Sequence, residues 1–269
     1  MKGVDTLPTR IGIDAGTTFT RIAYFDKRMR LHTKSYLTKK IKETIQWLMI
    51  VAPNARLMVT GRKAEDVQKL LRHSSFNVPI MQAERTGLAY LLKKETNKKV
   101  HHLLFVLIGT DTTIHLVKPN TYEQLFSSGI GEGTFIGLGS LLTKEKELES
   151  LIRLAEEGER TLDILENGMA ENVLSITTAH FGKAHLCEHP SAADKMTALT
   201  HFIAETIGIF TKEAAEKHDL KHVIFAGGML AMNKRLKASL MNDCKQSGLE
   251  AVFLPTGAYV GAIGALLFE

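Results

Sequence analysis

Cysteine is scarce in this chain. Among 269 residues there are two, Cys187 and Cys244, and neither has a CxxC partner. That excludes a disulfide framework and argues against a zinc or redox centre. Isolated thiols fit a reducing compartment, so the expected location is the cytoplasm. Long apolar runs are missing too: no stretch of about 18 uncharged apolar residues is present to cross a membrane. The opening MKGVDTLPTR lacks the apolar segment of a signal peptide. No long Pro/Gly/Ser-rich linker divides the chain. The formal excess of positive charge is only +5. Lysines spread along helices read as solvated faces, and KKETNKK (93–99) as a helix end whose cations complement the dipole. Neither nucleic acid nor membrane is therefore expected as a partner.

What is present is a globular composition, 44% hydrophobic and 23% charged, enough chain for one large domain or two moderate ones. RIGIDAG, FTRIAYFD and RLHTKSYL read as three strands with turns at Gly16 and near Lys27. KKIKETIQWLMIVA (39–52) has helical spacing, ARLMVTG (55–61) is a buried strand ending at glycine, AEDVQKLLRH is helical, NVPI is a brief strand, and QAERTGLAYLLKKE is helical again. The plan then restarts. HHLLFVLIGTDTTIHLV (101–117) gives strand, glycine turn and strand, with His101 and His102 as surface or edge residues. YEQLFSS gives a third strand. A mostly helical stretch fills about 132–217, KHVIFAGGMLAMNKRL is strand, glycine pair and helix, and AVFLPTGAYVGAIGALLF closes with strand and helix. The expected fold is α/β, a duplicated ribonuclease-H-like βββαβα lobe divided into 1–98 and 99–269, the second lobe carrying a helical insertion. This plan resembles the actin, sugar-kinase and heat-shock ATPase fold, in which two such lobes close on a nucleotide.

Four stretches carry chemistry. In GIDAGTTFTRIAYFD (12–26), Gly16 lets backbone N–H groups approach a phosphate, and Thr17, Thr18 and Thr20 add neutral donors. A carboxylate beside a polyphosphate repels it unless a metal lies between, so Asp14 reads as the organiser of Mg²⁺, through water. The alternative is an ordinary β-hairpin with Asp14 as a turn residue. IGTDTTIH (108–115) repeats the device with Gly109, Thr110, Thr112 and Thr113, and with Asp111 available to a metal shell. FAGGMLAMN (225–233) runs a strand into Gly227 and Gly228 and then a helix, which suits a base or ribose. SSGIGEGTFIGLG (127–139) places Gly129, Gly131 and Gly133 before a helix N-terminus that would face an anion; Gly137 and Gly139 read as close helix packing.

Together with TTAHFGK (177–183) and the closing GAYVGAIGALLF, these strings make the chain resemble the type II pantothenate kinases from Ile11 to Phe268. The resemblance implies transfer of the γ-phosphate of ATP to the primary hydroxyl of pantothenate, with Mg²⁺, as the first step of coenzyme A synthesis. It implies nucleotide contacts at Asp14, Gly16, Thr17, Thr18, Gly109, Thr110, Gly131, Gly133 and Gly227. It also implies a homodimer formed through a long helix at about 191–217, and raises coenzyme A or its thioesters as further partners. Two positions depart from the family pattern. The general-base Glu falls on Ile80, and the Asp two residues later on Gln82, leaving Glu84 as the candidate base. The arginine that holds the substrate carboxylate falls on Gln124, with Arg85 and Arg21 as candidate replacements. Two other readings use the same residues: a kinase of this fold with another small-molecule substrate, and a member that binds nucleotide or coenzyme A without turnover. ATPase activators of radical dehydratases open with a similar hairpin but need cysteines for an iron–sulfur cluster, a context that Cys187 and Cys244 lack.

Overall fold

A computed structural model describes residues 10–71, 74–96, 102–166 and 176–269. Contacts divide the chain into two units, Met1–His101 with Leu254–Glu269, and His102–Phe253. The expected junction at 98/99 and His101 lie outside the described residues, as does the end of AEDVQKLLRH; His102 is exposed.

The first unit runs β1 (Arg10–Ala15), β2 (Phe19–Phe25), β3 (Leu31–Leu37), α1 (Ile41–Val51), β4 (Arg56–Thr60), α2 (Ala64–Gln68), β5 (Ser75–Asn77) and α3 (Ile80–Glu95). The second runs β6 (Leu103–Ile108), β7 (Thr112–Lys118), β8 (Thr121–Ser128), α4 (Glu132–Thr143), α5 (Leu148–Glu157), β9 (Ile164–Glu166), β10 (Ile176–Ala179), α6 (Ala192–Lys217), β11 (His222–Gly227), α7 (Gly228–Met232), α8 (Lys234–Gln246) and β12 (Glu250–Phe253). The chain closes with α9 (Val260–Leu267).

The duplication is visible strand by strand. One sheet has the order β3-β2-β1-β4-β5 and the other β12-β11-β6-β7-β8, so reading the second backwards gives the same plan. In each, three strands are antiparallel and the first of them pairs in parallel with the strand after the crossover. β1 and β6 are the central strands, and their near-continuous apolar sequences follow from burial on both faces. Ile11, Ile13, Leu57 and Val59 pack with Ile45 and Leu48 of α1, and Trp47 lies against the same cluster. Truncating one such side chain to Ala costs about 2–5 kcal/mol.

Three sequence readings shift. NVPI is not a strand: the pairing falls one step earlier, on Ser75–Asn77 against Leu57–Val59, and Pro79 caps α3. Proline has no N–H to give a ladder but suits a helix start. The mostly helical stretch 132–217 also holds two strands, β9 and β10, which form a small antiparallel sheet between α5 and α6. The closing helix α9, placed by sequence with the second lobe, packs inside the first unit. A Cβ on Gly12 of β1 would lie 2.0 Å from the Ala262 carbonyl oxygen, one on Gly87 of α3 1.9 Å from that of Val260, and one on Gly264 1.6 Å from that of Ala83. Backbone meets backbone there, which only glycine permits. Gly139 packs tightly on Met196 and Leu151, as its sequence suggests, whereas Gly137 faces open space.

Candidate nucleotide and metal site

In the first unit the functional residues gather where β1 and β4 end side by side. Asp14 is the register partner of Thr60 in the parallel pair and of Arg21 in the antiparallel pair. Paired residues project to one face, so Arg21, Asp14 and Thr60 form a row across three strands. Burial raises the Asp14 carboxyl pKa above the ordinary carboxylate range, and the Arg21 guanidinium works against that rise. Arg21 is thereby aligned with Asp14. The Thr60 hydroxyl is buried and has no hydrogen-bond partner among the described residues.

The turn after Asp14 is held from within. The Gly16 N–H donates to the Phe19 carbonyl at 3.1 Å, and the Thr38 N–H to the Thr18 carbonyl at 2.9 Å. The Thr38 hydroxyl donates to the Gly16 carbonyl at 2.8 Å and lies 3.0 Å from that of Thr20. Thr20 is fully buried and its hydroxyl is a structural pin, whereas Thr17 is exposed at the tip. Asp26, at the far end of β2, closes the next turn by accepting from the N–H groups of Arg28 and Arg30. Its pKa is lowered, first by the hydrogen bond with His32.

Two glycines that the sequence reading did not assign to the site enclose the Asp14 carboxylate. A Cβ on Gly61, just past β4, would lie 2.6 Å from Asp14 Oδ1 and equally close to the Ala15 carbonyl; one on Gly261, in the first turn of α9, would lie 2.5 Å from Asp14 Oδ2. The signals were present in the TG that ends MVTG and the G of AYVG, but neither glycine is near Asp14 in sequence.

The second unit builds its turn from backbone. The Gly109 N–H donates to the Asp111 carbonyl at 2.9 Å, the Glu132 N–H to the Gly109 carbonyl at 2.8 Å, and the Gly133 N–H to the Thr110 carbonyl at 2.9 Å. The loop of Gly129, Gly131 and Gly133 therefore lies directly on the β6–β7 turn and leads into α4. A Cβ on Gly131 would meet the Gly109 carbonyl at 2.7 Å, and one on Gly133 the Thr110 methyl at 2.8 Å. Gly129 has open space around it. Asp111 is part-exposed and accepts a 2.9 Å hydrogen bond from the Ser127 hydroxyl. Thr112 is buried, and its hydroxyl has no hydrogen-bond partner among the described residues. Gly227 (φ 142) pairs with Ile108, and a Cβ there would stand 2.0 Å from the Ile108 carbonyl. Packing alone thus demands glycine at 227. Gly228 is buried and begins α7.

Ile80 is the exposed first residue of α3, with Gln82 in its first turn. Glu84 is half-buried one turn on, at the (i, i+4) position that shares a helix face with Ile80. That places its carboxylate about 6 Å along the helix axis from Ile80. Gln124 is exposed on β8 opposite His115, and Arg85 is exposed beside Glu84. Ile80 and Gln124 therefore both sit on surfaces, where substitution leaves the core intact.

Sequence reasoning also missed a polar cluster around the TTAHFGK string. Arg160 pairs with the buried Asp163 at 2.8 Å and with Glu205 of α6 at 3.1 Å, and contacts the Thr177 hydroxyl. The Thr177 hydroxyl donates to Glu205 at 2.8 Å, and His180 lies 3.3 Å from Glu205. Burial works to raise the Glu205 pKa, but hydrogen bonds from His180 and Thr177 and the charge of Arg160 leave it lowered. Burial pushes His201 down to about 4, so it is neutral at pH 7. Asp243 of α8 is pushed up to about 6 by burial and by Glu205. Among the described residues no three His, Cys, Asp or Glu side chains are grouped to hold a metal ion, and no helix is long and apolar enough to cross a membrane.

Two units of this topology, each with a glycine turn at the carboxyl end of its central strand, define the actin-like ATPase fold. Solved structures agree at the level of fold. The activator of 2-hydroxyisocaproyl-CoA dehydratase from Clostridium difficile with bound ADPNP superposes with a TM-score of 0.67 at 13% identity, covering 96% of this chain and 93% of that one. A ROK family glucokinase from Streptomyces griseus in complex with glucose and AMPPNP gives 0.57 at 12% identity, covering 96% and 97%. Sequence comparison goes further. The model of the Fumble family matches residues 73–268. A type II pantothenate kinase of Oceanobacillus iheyensis is 34% identical over 264 residues, 96% of this chain and 98% of the relative. One from Bacillus anthracis is 32% identical over 271 residues, 97% and 98%. The chain belongs to the type II pantothenate kinase family.

Proposed function

We propose that this protein phosphorylates pantothenate to 4′-phosphopantothenate with ATP as donor, the first step toward coenzyme A. The observation that carries the reading is full-length membership of the family combined with a carboxylate at the end of β1 and a backbone-built glycine turn at the end of β6. Thr17 and Thr18 in one turn and Thr110 in the other offer hydroxyl donors to phosphate oxygens, while Gly16, Gly109, Gly131 and Gly133, the first, second and fourth with their N–H groups spent inside the turns, let the phosphates approach the backbone closely. Thr112 is assigned to the same turn. Gly227 and Gly228 form the strand-to-helix corner for the adenosine.

A lone carboxylate fits Mg²⁺, which keeps much of its water and takes the rest of its shell from phosphates rather than from an all-protein cage. Asp14 is that carboxylate, and Arg21 limits the proton affinity that burial would otherwise give it. When bound, the metal supplies charge neutralisation on the transferring phosphoryl group. Glu84 is the base that takes the proton of the acceptor hydroxyl. General-base help is worth about 10² to 10⁴ in rate, so a base displaced by one turn lowers efficiency without abolishing transfer, which rests mostly on positioning. We further propose a cytoplasmic homodimer formed through α6. Its Phe202, Thr206, Ile209 and Phe210 make a partly exposed strip, with Phe210 against Phe126 of β8 at 4.5 Å between ring centroids. Such a strip at helical spacing suits a second copy of the same helix.

The test is ADP release from Mg-ATP by the purified protein with and without pantothenate, and with pantetheine as a second acceptor. Pantothenate-dependent release is expected. ATP binding without stimulation by either acceptor would move the chain to a nucleotide-binding member without this turnover.

A further inference from the structure

The Asp14 carboxylate is walled on two sides by chain segments that carry no side chain. On one side stands Gly61, with φ +97 and with its absent Cβ 2.6 Å from both Asp14 Oδ1 and the Ala15 carbonyl oxygen. On the other stands Gly261, whose absent Cβ falls 2.5 Å from Oδ2, 2.9 Å from Cγ and 3.4 Å from Cβ of Asp14. The two glycines differ in kind. At Gly61 the obstacle includes backbone and the φ belongs to the left-handed region, so any side chain there distorts the turn itself. At Gly261 all three close atoms belong to the Asp14 side chain, and the position is helical, where Ala is preferred to Gly by about 1 kcal/mol.

From this we infer that Gly261 is a positioning residue for the metal-organising carboxylate. Together with Gly61 it forms a slot one carboxylate wide. The inference rests on the reading of Asp14 as the Mg²⁺ organiser and adds to it the element that fixes the carboxylate's direction. The helix that bears Gly261 is pinned separately, by the backbone contacts of Gly12, Gly87 and Gly264. α9 therefore cannot retreat to admit a methyl group, and Gly61 blocks the opposite side. Asp14 must rotate out of line instead. Intrinsic propensity favours Ala at this helical position, and the space that glycine leaves is the space the Asp14 carboxylate occupies.

The experiment is Gly261→Ala, with Asp14→Asn, the double variant, and Gly137→Ala as a control that adds a methyl group in open space. Each is assayed for thermal stability, for Mn²⁺ affinity in the presence of ADP by electron paramagnetic resonance, and by crystallography of the Asp14 side chain. Gly261→Ala is expected to keep its melting temperature, to weaken Mn²⁺ by about tenfold or more, and to show Asp14 rotated. It should cost no further affinity in the Asp14→Asn background. Loss of the fold on Gly261→Ala, an unmoved Asp14, or an unchanged Mn²⁺ affinity would each overturn the inference, as would an equal loss in the Asp14→Asn background. If Asp14→Asn by itself leaves Mn²⁺ affinity and turnover intact, the metal reading falls first and the slot with it.

Discussion

The two glycine turns look alike in sequence and are built differently. After β1, a half-buried acid with a raised pKa is held between two glycines distant in sequence, and hydroxyls of Thr20 and Thr38 tie the turn from within. After β6, the acid is part-exposed and bonded to Ser127, while the strength of the turn lies in backbone bonds among Gly109, Thr110, Asp111, Glu132 and Gly133. One turn positions a charge, and the other is a rigid, side-chain-poor surface closed by its own backbone bonds. The same frame occurs twice, and the enclosure of one acid by Gly61 and Gly261 sets the two turns apart. A metal-organising acid and a phosphate cradle have different needs, since one must hold a charge in place and the other must let an anion approach a rigid backbone closely.

That contrast can be broken by substitution. Asp14→Asn should have the largest effect, lowering kcat by ~10²-fold or more, because metal-derived charge stabilisation is worth several kcal/mol; steady-state kinetics over a Mg²⁺ series with circular dichroism as a fold check would measure it. Gly133→Ala comes next. The new methyl meets Thr110 at 2.8 Å and lifts the loop from the turn, raising the ATP KM by about tenfold and lowering stability by about 1–3 kcal/mol, readable by titration calorimetry and melting.

Asp243→Asn asks whether burial of an acid is enough to mark function. Asp243 is pushed up to about 6 in the fold, above its unfolded value of about 4. The folded state therefore holds the proton more tightly, a contribution present below about pH 4 and lost as pH rises through about 6. The Asn variant should match the parent at acid pH and exceed it at pH 8 by about 1–2 kcal/mol after allowance for partial exposure, with turnover unchanged. Smallest is Asp111→Asn: part-exposed and accepting from the Ser127 hydroxyl, it should change stability by no more than about 0.5 kcal/mol and leave the Mg²⁺ dependence as it was. A Mg²⁺ response at Asp111 as large as at Asp14 would erase the difference between the turns.

Much of this was legible in the chain. Apolar runs of strand length, separated by glycine–hydroxyl turns and repeated once, lead directly to two sheets of one topology, because local pattern and tertiary pairing agree there. The readings that shifted are those where a distant segment decides. β5 is set by pairing with β4, not by the apolar NVPI. α9 joins the first unit because Gly12, Gly87 and Gly264 admit its backbone, a reason no local window contains. The same holds at the site. Asp14 and Gly109 stand out in sequence, whereas Gly61, Gly261 and the buried Thr60 acquire meaning only from being beside Asp14. The Arg160 cluster escaped for a similar reason: its members are tens of residues apart and have no fixed spacing.

The most direct test is to identify the product. Protein, Mg-ATP and pantothenate are incubated, and 4′-phosphopantothenate and ADP are quantified together by mass spectrometry for the parent and for Asp14→Asn. One phosphorylated pantothenate per ADP from the parent, and near-complete loss of both in Asp14→Asn, is the predicted result. ADP without phosphorylated pantothenate, or undiminished phosphorylation by Asp14→Asn, would contradict it.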